Sequence, residues 1–365
     1  MEIWFIDDDN EEFEKLQSLI DSDAGKGEVK LSRFHPSDSL TGNPDVILID
    51  YQLTNPDGVR RASNVNGLDI GTSLRVDFPT IPILLFSYKS RGKLASVQKS
   101  IANQIFDEIL YKDDFLGSDR SLLSDLFVLC KGYSAITRSF FSEGKKVKEE
   151  DNKKKLYGIL LAPPDAYEDI DSLLGGIDRL SSDDWTPFGI AYIIRKELMG
   201  YPGILYDTIH AATFLGISEK AFKEIEHFFI SAKYKGVFSE RKNFWWKCSL
   251  KEFADSIMEK DELKVPYSHG FHKAWKRKEG KELELAECCV SKQKPAETVC
   301  CILNEPVIIR YTLPYPGLSM KPPIMDESRA SFKAFLKNKA DAVLLDHDSK
   351  IIFNKYLEDL KKHAN

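Results

Sequence analysis

Four short runs of apolar residues punctuate the first third of the 365-residue chain, and each ends at a polar side chain. The runs are IWFI before Asp7, VILI before Asp50, ILLF before Ser87 and EILY before Lys112. They are rich in β-branched and aromatic residues without polar alternation, which predicts strands buried on both faces of a parallel sheet. Helix-like stretches lie between them, so we expect a doubly wound α/β sheet.

The polar residues that follow the runs are expected at one edge of this sheet, where doubly wound folds bind their ligands. Asp7, Asp8 and Asp50 would repel one another there unless a hard cation held them. Mg²⁺ suits this position because it accepts one or two carboxylates together with waters and phosphate oxygens. Asp50 is the candidate nucleophile for a phosphoryl group, with Lys112 as counter-charge and the Ser87 hydroxyl as hydrogen-bond donor.

In order and spacing, these motifs resemble the receiver domain of two-component response regulators. The resemblance covers residues 1–140 and rests on FIDDD, PDVILIDYQL, ILLFSYKS and EILYKDD. It implies a (βα)5 flavodoxin-like fold for a domain of residues 1–143. It also implies Mg²⁺-dependent phosphorylation of Asp50 by a histidine kinase or phosphotransfer protein, with the backbone carbonyl of Gln52 as a further metal ligand.

Two features depart from the usual pattern of that family. Residues 54–66 form an insertion rich in Asn, Asp, Gly and Arg between the acceptor and Gly67. The aromatic residue that commonly stands three positions before the lysine is Ile109 here, and Tyr111 is expected on the opposite strand face. A plainer interpretation, in which the first acidic residues only cap a helix, does not explain the other three polar strand ends.

Composition sets limits on the rest of the chain. A length of 365 residues with 42% apolar content suffices for two or three domains. No apolar run approaches the ~20 residues of a membrane span, so we expect a cytoplasmic protein without membrane contact. Residues 1–143 carry 15 Lys and Arg against 23 Asp and Glu, and so acidic a domain will not attract nucleic acid. The mixed-charge segment 144–155 predicts a linker.

A second module is predicted over residues 156–263. The segment TPFGIAYIIRKELMG predicts a helix that Thr186 caps and Pro187 begins. The segment ILYDTIHAATFLGISEKAFKEIEHFFISAK predicts a helix, a tight turn at Gly216 and a second helix. A hairpin with SERKN at its tip is expected next. This order of elements resembles a winged helix over residues 186–250.

The winged-helix resemblance implies a second helix in the DNA major groove and a wing along the phosphates. The candidate nucleic-acid contacts are Lys220, Lys223, Arg241 and Lys242. Residues 206–251 carry only eight basic residues against five acidic ones, and many winged helices bind protein, so both targets stay open. The leading hypothesis is a response regulator that controls transcription as a phosphorylation-dependent homodimer. The alternative is a signalling adaptor or phosphate sink whose output region binds protein.

Residues 264–365 predict a mixed α/β region of unknown role that ends in an amphipathic helix around KIIFNKYLEDLKKH. The segment YSHGFHKAWKRKEGK adds a basic and aromatic patch, for which a phosphate or nucleic-acid contact and a solvated loop both stay open. Cysteine pairs at 288–289 and 300–301 favour plain strand cysteines, because zinc ligands are normally two to four residues apart. No enzyme motif stands in this region, so we expect no catalytic activity.

Overall fold

The computed structural model describes residues 1–22, 29–51, 53, 67–87, 102, 105–111, 122–141, 149–176, 185–260, 262–315 and 324–364. The chain divides into two compact units. The first comprises residues 1–159 and 181–194, and the second comprises residues 160–180 and 195–365. The sequence predicts four segments, with boundaries after residues 143, 155 and 263, and these boundaries differ from the division into two units. The roles assigned to the four segments stay predictions.

The described residues form eleven strands and twelve α-helices. The strands are β1 (Glu2–Ile6), β2 (Lys30–Phe34), β3 (Val46–Asp50), β4 (Ile83–Ser87), β5 (Glu108–Tyr111), β6 (Leu205–Asp207), β7 (Phe244–Trp246), β8 (Thr298–Cys300), β9 (Glu305–Val307), β10 (Thr312–Pro314) and β11 (Arg329–Ser331). The helices are α1 (Asn10–Ser22), α2 (Gly67–Asp77), α3 (Leu122–Phe141), α4 (Glu149–Leu160), α5 (Tyr167–Gly176), α6 (Pro187–Tyr192), α7 (Thr208–Phe214), α8 (Glu219–Ile225), α9 (Lys247–Ile257), α10 (Tyr267–Glu279), α11 (Phe332–Leu336) and α12 (His347–Ala364). None of these helices is long and apolar enough to cross a membrane.

The first unit is built on a parallel sheet with the strand order β2-β1-β3-β4-β5. This order confirms the predicted doubly wound sheet, in which the strand sequence reverses between β1 and β3. All five residues of β3 and of β4 are buried, as their unbroken apolar runs predicted. Strand β2, with the sequence KLSRF, lies at the edge of the sheet and is partly exposed. The sequence therefore contains no apolar run that would predict this strand.

The (βα)5 pattern is not complete. Residues 35–45 connect β2 to β3 through turns, without a helix. Parallel strands are usually joined by a crossover helix, so the prediction of a regular (βα)5 domain is wrong at this connection. The helix expected around residues 94–103 lies almost wholly outside the described residues.

A buried ion pair ties α2 to β5. Arg75 Nη2 lies 2.7 Å from Asp107 Oδ2, which also accepts the Ile83 backbone N–H at 2.9 Å. The Tyr133 hydroxyl of α3 donates to the other carboxylate oxygen of Asp107. Three elements around the sheet therefore meet at one carboxylate.

The faces of β5 correct one expectation from the sequence. Ile109 and Tyr111 both pack in the cluster that includes Ile47, Ile49 and Leu85, so they share one face of the sheet. Side chains two residues apart on a strand point the same way, and Tyr111 is therefore not opposite Ile109.

Helix α6 belongs to the first unit, although the sequence assigned it to the output module. Thr186 caps it through the Gly189 N–H at 3.0 Å and Pro187 follows, as predicted. The Trp185 ring stacks on Phe140 of α3 with centroids 5.7 Å apart. Helix α4 begins at residue 149, so more than half of the predicted linker 144–155 is helical.

In the second unit, α7 and α8 are joined by a tight turn at Gly216, as predicted. Gly216 has φ +73°, and its N–H donates to Thr213 O at 3.0 Å while Ile217 N–H donates to Ala212 O at 3.0 Å. These two bonds close a Schellman motif, which needs a left-handed residue at this point. A side chain is also excluded there, because an added Cβ would lie 1.9 Å from Ser268 O.

The predicted hairpin of the wing is only partly formed. β7 pairs antiparallel with β6, and Trp245 of β7 makes an isolated bridge with Lys233. The segment after β7 is the helix α9 rather than a hairpin arm. The core of this part is aromatic, with Phe222 edge-on to Trp245 at 5.0 Å and stacked on Phe229 at 5.4 Å.

The C-terminal part contains two small antiparallel sheets, β8-β9 and β10-β11, and the predicted final helix α12. The cysteine pairs do not face each other across a ladder, because Cys300 pairs with Glu305. Cys288 and Cys300 are buried, and each Sγ accepts two backbone N–H groups at 3.2–3.5 Å. All six cysteines are free thiols.

Candidate functional site

The candidate site lies at the carboxyl ends of β1, β3 and β4. β1 and β3 are paired up to Ile6 and Ile49, so the residues that follow, Asp7 and Asp50, are neighbours across the sheet. Adjacent strands are about 4.8 Å apart. Asp7 is 0% exposed and Asp50 is 6% exposed. The fold therefore brings two carboxylates from distant parts of the sequence to one buried edge.

The backbone around the first acidic residues holds them in place. Asp7 N–H donates to Phe34 O at 3.1 Å, and Asp7 Oδ1 accepts the Asp9 N–H at 3.0 Å. Asp9 Oδ1 in turn accepts the Glu11 N–H at 2.8 Å, at the start of α1. Helix capping is thus supplied by Asp9. Asp7 is buried and Asp8 half-buried at the strand end instead.

Ser87 completes the row of polar strand ends within the described residues. It ends β4, is 1% exposed and pairs in register with Tyr111 of β5. Phe86, the residue before Ser87, pairs with Asp50. Ser87 therefore lies one residue further along its strand than the position opposite Asp50. The remaining predicted members, Lys112 and Gln52, lie outside the described residues, as does the insertion 54–66.

The sequence did not reveal the role of Gly67. Its N–H donates to Tyr51 O at 3.3 Å, and a Cβ at this position would lie 2.4 Å from Asp50 O. Real Cβ atoms do not approach a carbonyl oxygen that closely, so a side chain here would displace the backbone of Asp50 or the start of α2. A glycine at the first residue of a predicted helix was the one available signal.

The donor set at this edge has the chemistry that Mg²⁺ takes in proteins, since Asp7, Asp8 and Asp50 all offer hard carboxylate oxygens. In the described part of the chain, no three His, Cys, Asp or Glu side chains are grouped closely enough to hold a metal ion. The residue types and their positions at the strand ends therefore suit Mg²⁺. The carboxylate groups do not converge on one position in this structure.

The output candidates occupy a different setting. Lys220 and Lys223 are exposed on α8, and Arg241 is exposed on the loop before β7. Lys242 is 56% exposed, but its Nζ lies 2.6 Å from Asp207 Oδ2. The predicted wing lysine is therefore engaged in an ion pair.

Besides its ion pair with Lys242, Asp207 also binds His210. His210 Nδ1 lies 2.7 Å from Asp207 Oδ1, and the His210 backbone N–H donates to the same oxygen at 3.1 Å. Burial by itself raises the pKa of Asp207, but hydrogen bonds and charge from His210 and then Lys242 outweigh it and hold that pKa well below its usual range. Asp207 is also the N-cap of α7.

The turn between α7 and α8 is covered by residues 284–286. Ser218 N–H donates to Glu284 O at 2.8 Å, and Ala286 N–H donates to Gly216 O at 3.0 Å. Ser218 also caps α8 by accepting the Ala221 N–H at 3.1 Å. The start of α8 therefore lies beside a second chain segment, in which Leu285 forms an isolated bridge with Ile217.

No protein-family model matches the sequence, and no curated protein matches it. Among solved structures, a response regulator from Thermotoga maritima, in complex with Mg²⁺-BeF, is similar over 34% of this chain and 97% of its own, with 17% identity and a TM-score of 0.26. The signal receiver domain of an HD domain-containing protein from Pseudomonas fluorescens is similar over 38% and 91%, with 16% identity and a TM-score of 0.29. An adenylate cyclase from Rhodopirellula baltica is similar over 38% and 92%, with 16% identity and a TM-score of 0.27.

Proposed function

We propose that the chain is a response regulator that is switched by phosphorylation of Asp50. The observation that carries this proposal is the placement of Asp7 and Asp50 at neighbouring, buried strand ends, where the strand order of the sheet reverses. Ligands of doubly wound sheets bind at such a reversal. Two carboxylates side by side in a buried edge repel each other, which suits a site that recruits a cation and then a phosphoryl group.

The reaction is a phosphoryl transfer to a carboxylate. An Asp50 oxygen forms a bond to phosphorus while the bond between phosphorus and the donor's nitrogen or oxygen breaks, so the product is an acyl phosphate. Mg²⁺ would be held by Asp7, Asp8, Asp50 and the Gln52 carbonyl, and it supplies charge neutralisation for the phosphoryl oxygens. We assign Lys112 as the counter-charge and Ser87 as the hydroxyl that bonds the transferred group.

The partner that delivers the phosphoryl group is, in this proposal, a histidine kinase or a phosphotransfer protein. The chain then acts as a switch rather than as an enzyme with turnover. We expect the end of β4 at Ser87 to rearrange on phosphorylation. When the Ser87 hydroxyl moves to hydrogen-bond the phosphoryl group, the backbone at the end of β4 moves too.

The experiment is phosphorylation with a small phosphoryl donor and Mg²⁺, followed by intact-protein and peptide mass spectrometry. Wild type and the exposed-acid control Asp77→Asn should gain one phosphoryl group, and Asp50→Asn should gain none. Asp8→Asn should need more Mg²⁺ for the same rate, because a charged oxygen ligand to a hard cation is lost. Equal labelling of Asp50→Asn would overturn the acceptor assignment, and an unchanged Mg²⁺ requirement in Asp8→Asn would overturn the metal assignment.

For the output we propose DNA binding by a winged-helix-like module, hence transcriptional control. The order of helix, strand, two helices, bridge residue and strand supports this, as does the pairing of β7 with both β6 and Lys233. The exposed lysines of α8 would face the major groove. Phosphorylation would favour a homodimer that engages two half-sites.

A second candidate is an adaptor or phosphate sink whose output region binds protein. Three observations favour it. The positive charge of Lys242 is compensated by Asp207, and Glu224 of α8 pairs with Lys281 at 2.8 Å. The turn before α8 is bound by residues 284–286, which narrows access to the start of that helix.

Titration of phosphorylated and unphosphorylated protein against random duplex DNA at two salt concentrations separates the two outputs. DNA binding through phosphate contacts weakens steeply with salt, because bound counterions are released from the duplex. A phosphorylated protein that stays monomeric and binds duplex no better than a variant with all four basic candidates changed to alanine would favour the adaptor.

A further inference from the structure

A cleft in the second unit gathers positive charge that neither proposed output uses. It has a volume of about 490 Å³. Its lining residues come from helix α10, the loop before β8 and the segment after β9, and they are His269, Gln293, Lys294, Pro295, Glu297, Ile308 and Arg310. The volume falls within the range of about 300–1,000 Å³ that is typical of small-molecule sites.

Arg310 is held in the cleft by neutral groups. Its guanidinium donates to the side-chain oxygen of Gln293 and lies 4.9 Å from the ring centroid of Tyr311. No carboxylate pairs with it among the described residues. An arginine that is oriented by an amide and an aromatic ring keeps its full charge for a ligand.

Lys294 adds a second, weakly compensated charge. Its Nζ is 3.6 Å from Glu287 Oε2, whereas Lys292 lies closer to the same side chain, at 3.0 Å. One carboxylate is thus shared by two lysines, and of the two only Lys294 lines the cleft.

The acid that lines the cleft is already engaged. Glu297 Oε2 accepts the Ile309 N–H at 2.9 Å, and its Oε1 is 3.7 Å from His269 Nε2. Glu297 therefore anchors the segment after β9 and positions the imidazole, rather than neutralising Arg310. The second wall of the cleft is apolar, formed by Pro295 and Ile308.

We propose that this cleft binds a small phosphate-bearing molecule. The phosphate accepts charge-assisted hydrogen bonds from Arg310 and Lys294. A phosphate group presents three acceptor oxygens that both cations can share, whereas a single carboxylate presents two. The remainder of the ligand packs on Pro295 and Ile308. Free phosphate and an organic phosphate share this chemistry, and the apolar wall favours the organic one.

The test is isothermal titration of the full chain at constant ionic strength with inorganic phosphate, adenosine 5′-monophosphate, adenosine and acetate. We expect the monophosphate to bind more tightly than phosphate, and adenosine and acetate not to bind. Arg310→Gln and Lys294→Gln should each raise the dissociation constant at least tenfold. Lys276→Gln, which removes the same charge at an exposed residue of α10 that does not line the cleft, should change it less than twofold.

Three results would overturn the proposal: no binding of either phosphate at millimolar concentration, equal binding of acetate, or equal weakening by Lys276→Gln. Displacement of the monophosphate by short duplex DNA, with a steep salt dependence, would assign the cleft to a nucleic-acid surface and also overturn it. Circular dichroism melts of the variants, matched to wild type, show that the fold is kept. Because none of these titrations involves Asp50, their failure leaves the proposed phosphorylation switch intact.

Discussion

The two compact units hold their candidate functional residues in opposite environments. In the first, Asp7, Asp50 and Ser87 are buried, and the register of neighbouring strands decides where they lie. In the second, Lys220 and Lys223 are exposed on one helix. No neighbouring group can replace a buried carboxylate, whereas the electrostatic potential around an exposed lysine also comes from the neighbouring charges. The switch should therefore depend on single residues and the output on summed charge.

The frameworks differ in the same way. The first unit spreads its core along five paired strands, and a polar network in it centres on one buried carboxylate, Asp107. The second unit has strands of three residues, and rings such as Trp245, Phe222 and Phe229 fill its core. A polar change inside the sheet should thus cost more than any polar change in the second unit.

The largest effect is expected for Asp107→Ala. The change leaves the Arg75 guanidinium and the Ile83 N–H without their shared acceptor, and such a broken buried pair costs about 3–5 kcal/mol. Hydrogen exchange with mass spectrometry should show that protection of β4 and β5 falls by this amount. Peptides of the second unit serve as the internal reference.

The control is Glu11→Ala, which removes one side of the exposed pair with Lys15 and should change stability by less than about 0.5 kcal/mol. A loss below about 1 kcal/mol in Asp107→Ala would show that the buried pair does not organise the sheet, and the contrast between the two units would weaken.

A medium effect is expected for Asp207→Asn in the second unit. The amide keeps a capping oxygen but loses the charge-assisted bonds from His210 and Lys242, so the variant should be less stable by about 2 kcal/mol at pH 7. Because the pKa of Asp207 is lowered by folding, its stabilisation is complete above the unfolded-state pKa of about 3.9 and is lost as the pH falls further.

Urea unfolding at pH 7 and below about pH 4 measures this difference, with the exposed Glu252→Gln as a matched control. The gap between Asp207→Asn and wild type should shrink at the lower pH. A gap that stays constant across the two pH values would show that the negative charge of Asp207 does not account for the lost stability.

The sequence predicted those parts of the fold that depend on local pattern. Unbroken apolar runs identified β1, β3 and β4, because a strand buried on both faces has no room for polar alternation. Strand β5 was identified from the run EILY, although it lies at an edge of the sheet and its first two residues are only partly buried. No residue of the edge strand β2 is fully buried, and its mixed pattern carries no such signal.

Contacts between distant residues could not be predicted in this way. The approach of Gly67 to the Asp50 carbonyl depends on where the insertion returns the chain to the sheet. The pairing of Lys242 with Asp207 joins residues 35 positions apart, and spacing along the chain says nothing about it. A basic motif containing Lys242 therefore suggested a nucleic-acid contact, while the folded chain uses that charge internally.

A smaller effect is expected for Gly67→Ala. The added Cβ, 2.4 Å from Asp50 O, must move the acceptor backbone, so phosphorylation should slow by about tenfold, equivalent to about 1.4 kcal/mol in the barrier. The rate is followed by mass spectrometry with a small phosphoryl donor. Gly158→Ala, at a helical glycine with open space around it, should leave the rate unchanged. Equal rates in the two variants would show that the register of Asp50 tolerates displacement.

The smallest effects concern the exposed lysines and decide how far the output depends on summed charge. If α8 faces DNA, Lys223→Ala should lower the slope of log affinity against log salt by about one unit, as expected for one lost phosphate contact. Lys242→Ala should lower it by less, because the Lys242 ammonium is already paired with Asp207 at 2.6 Å and releases less counterion on binding. The slopes come from fluorescence anisotropy with a labelled duplex at four salt concentrations. Equal slopes for both variants would show that the ion pair opens in the complex, and unchanged slopes for both would remove α8 and the wing from the DNA interface.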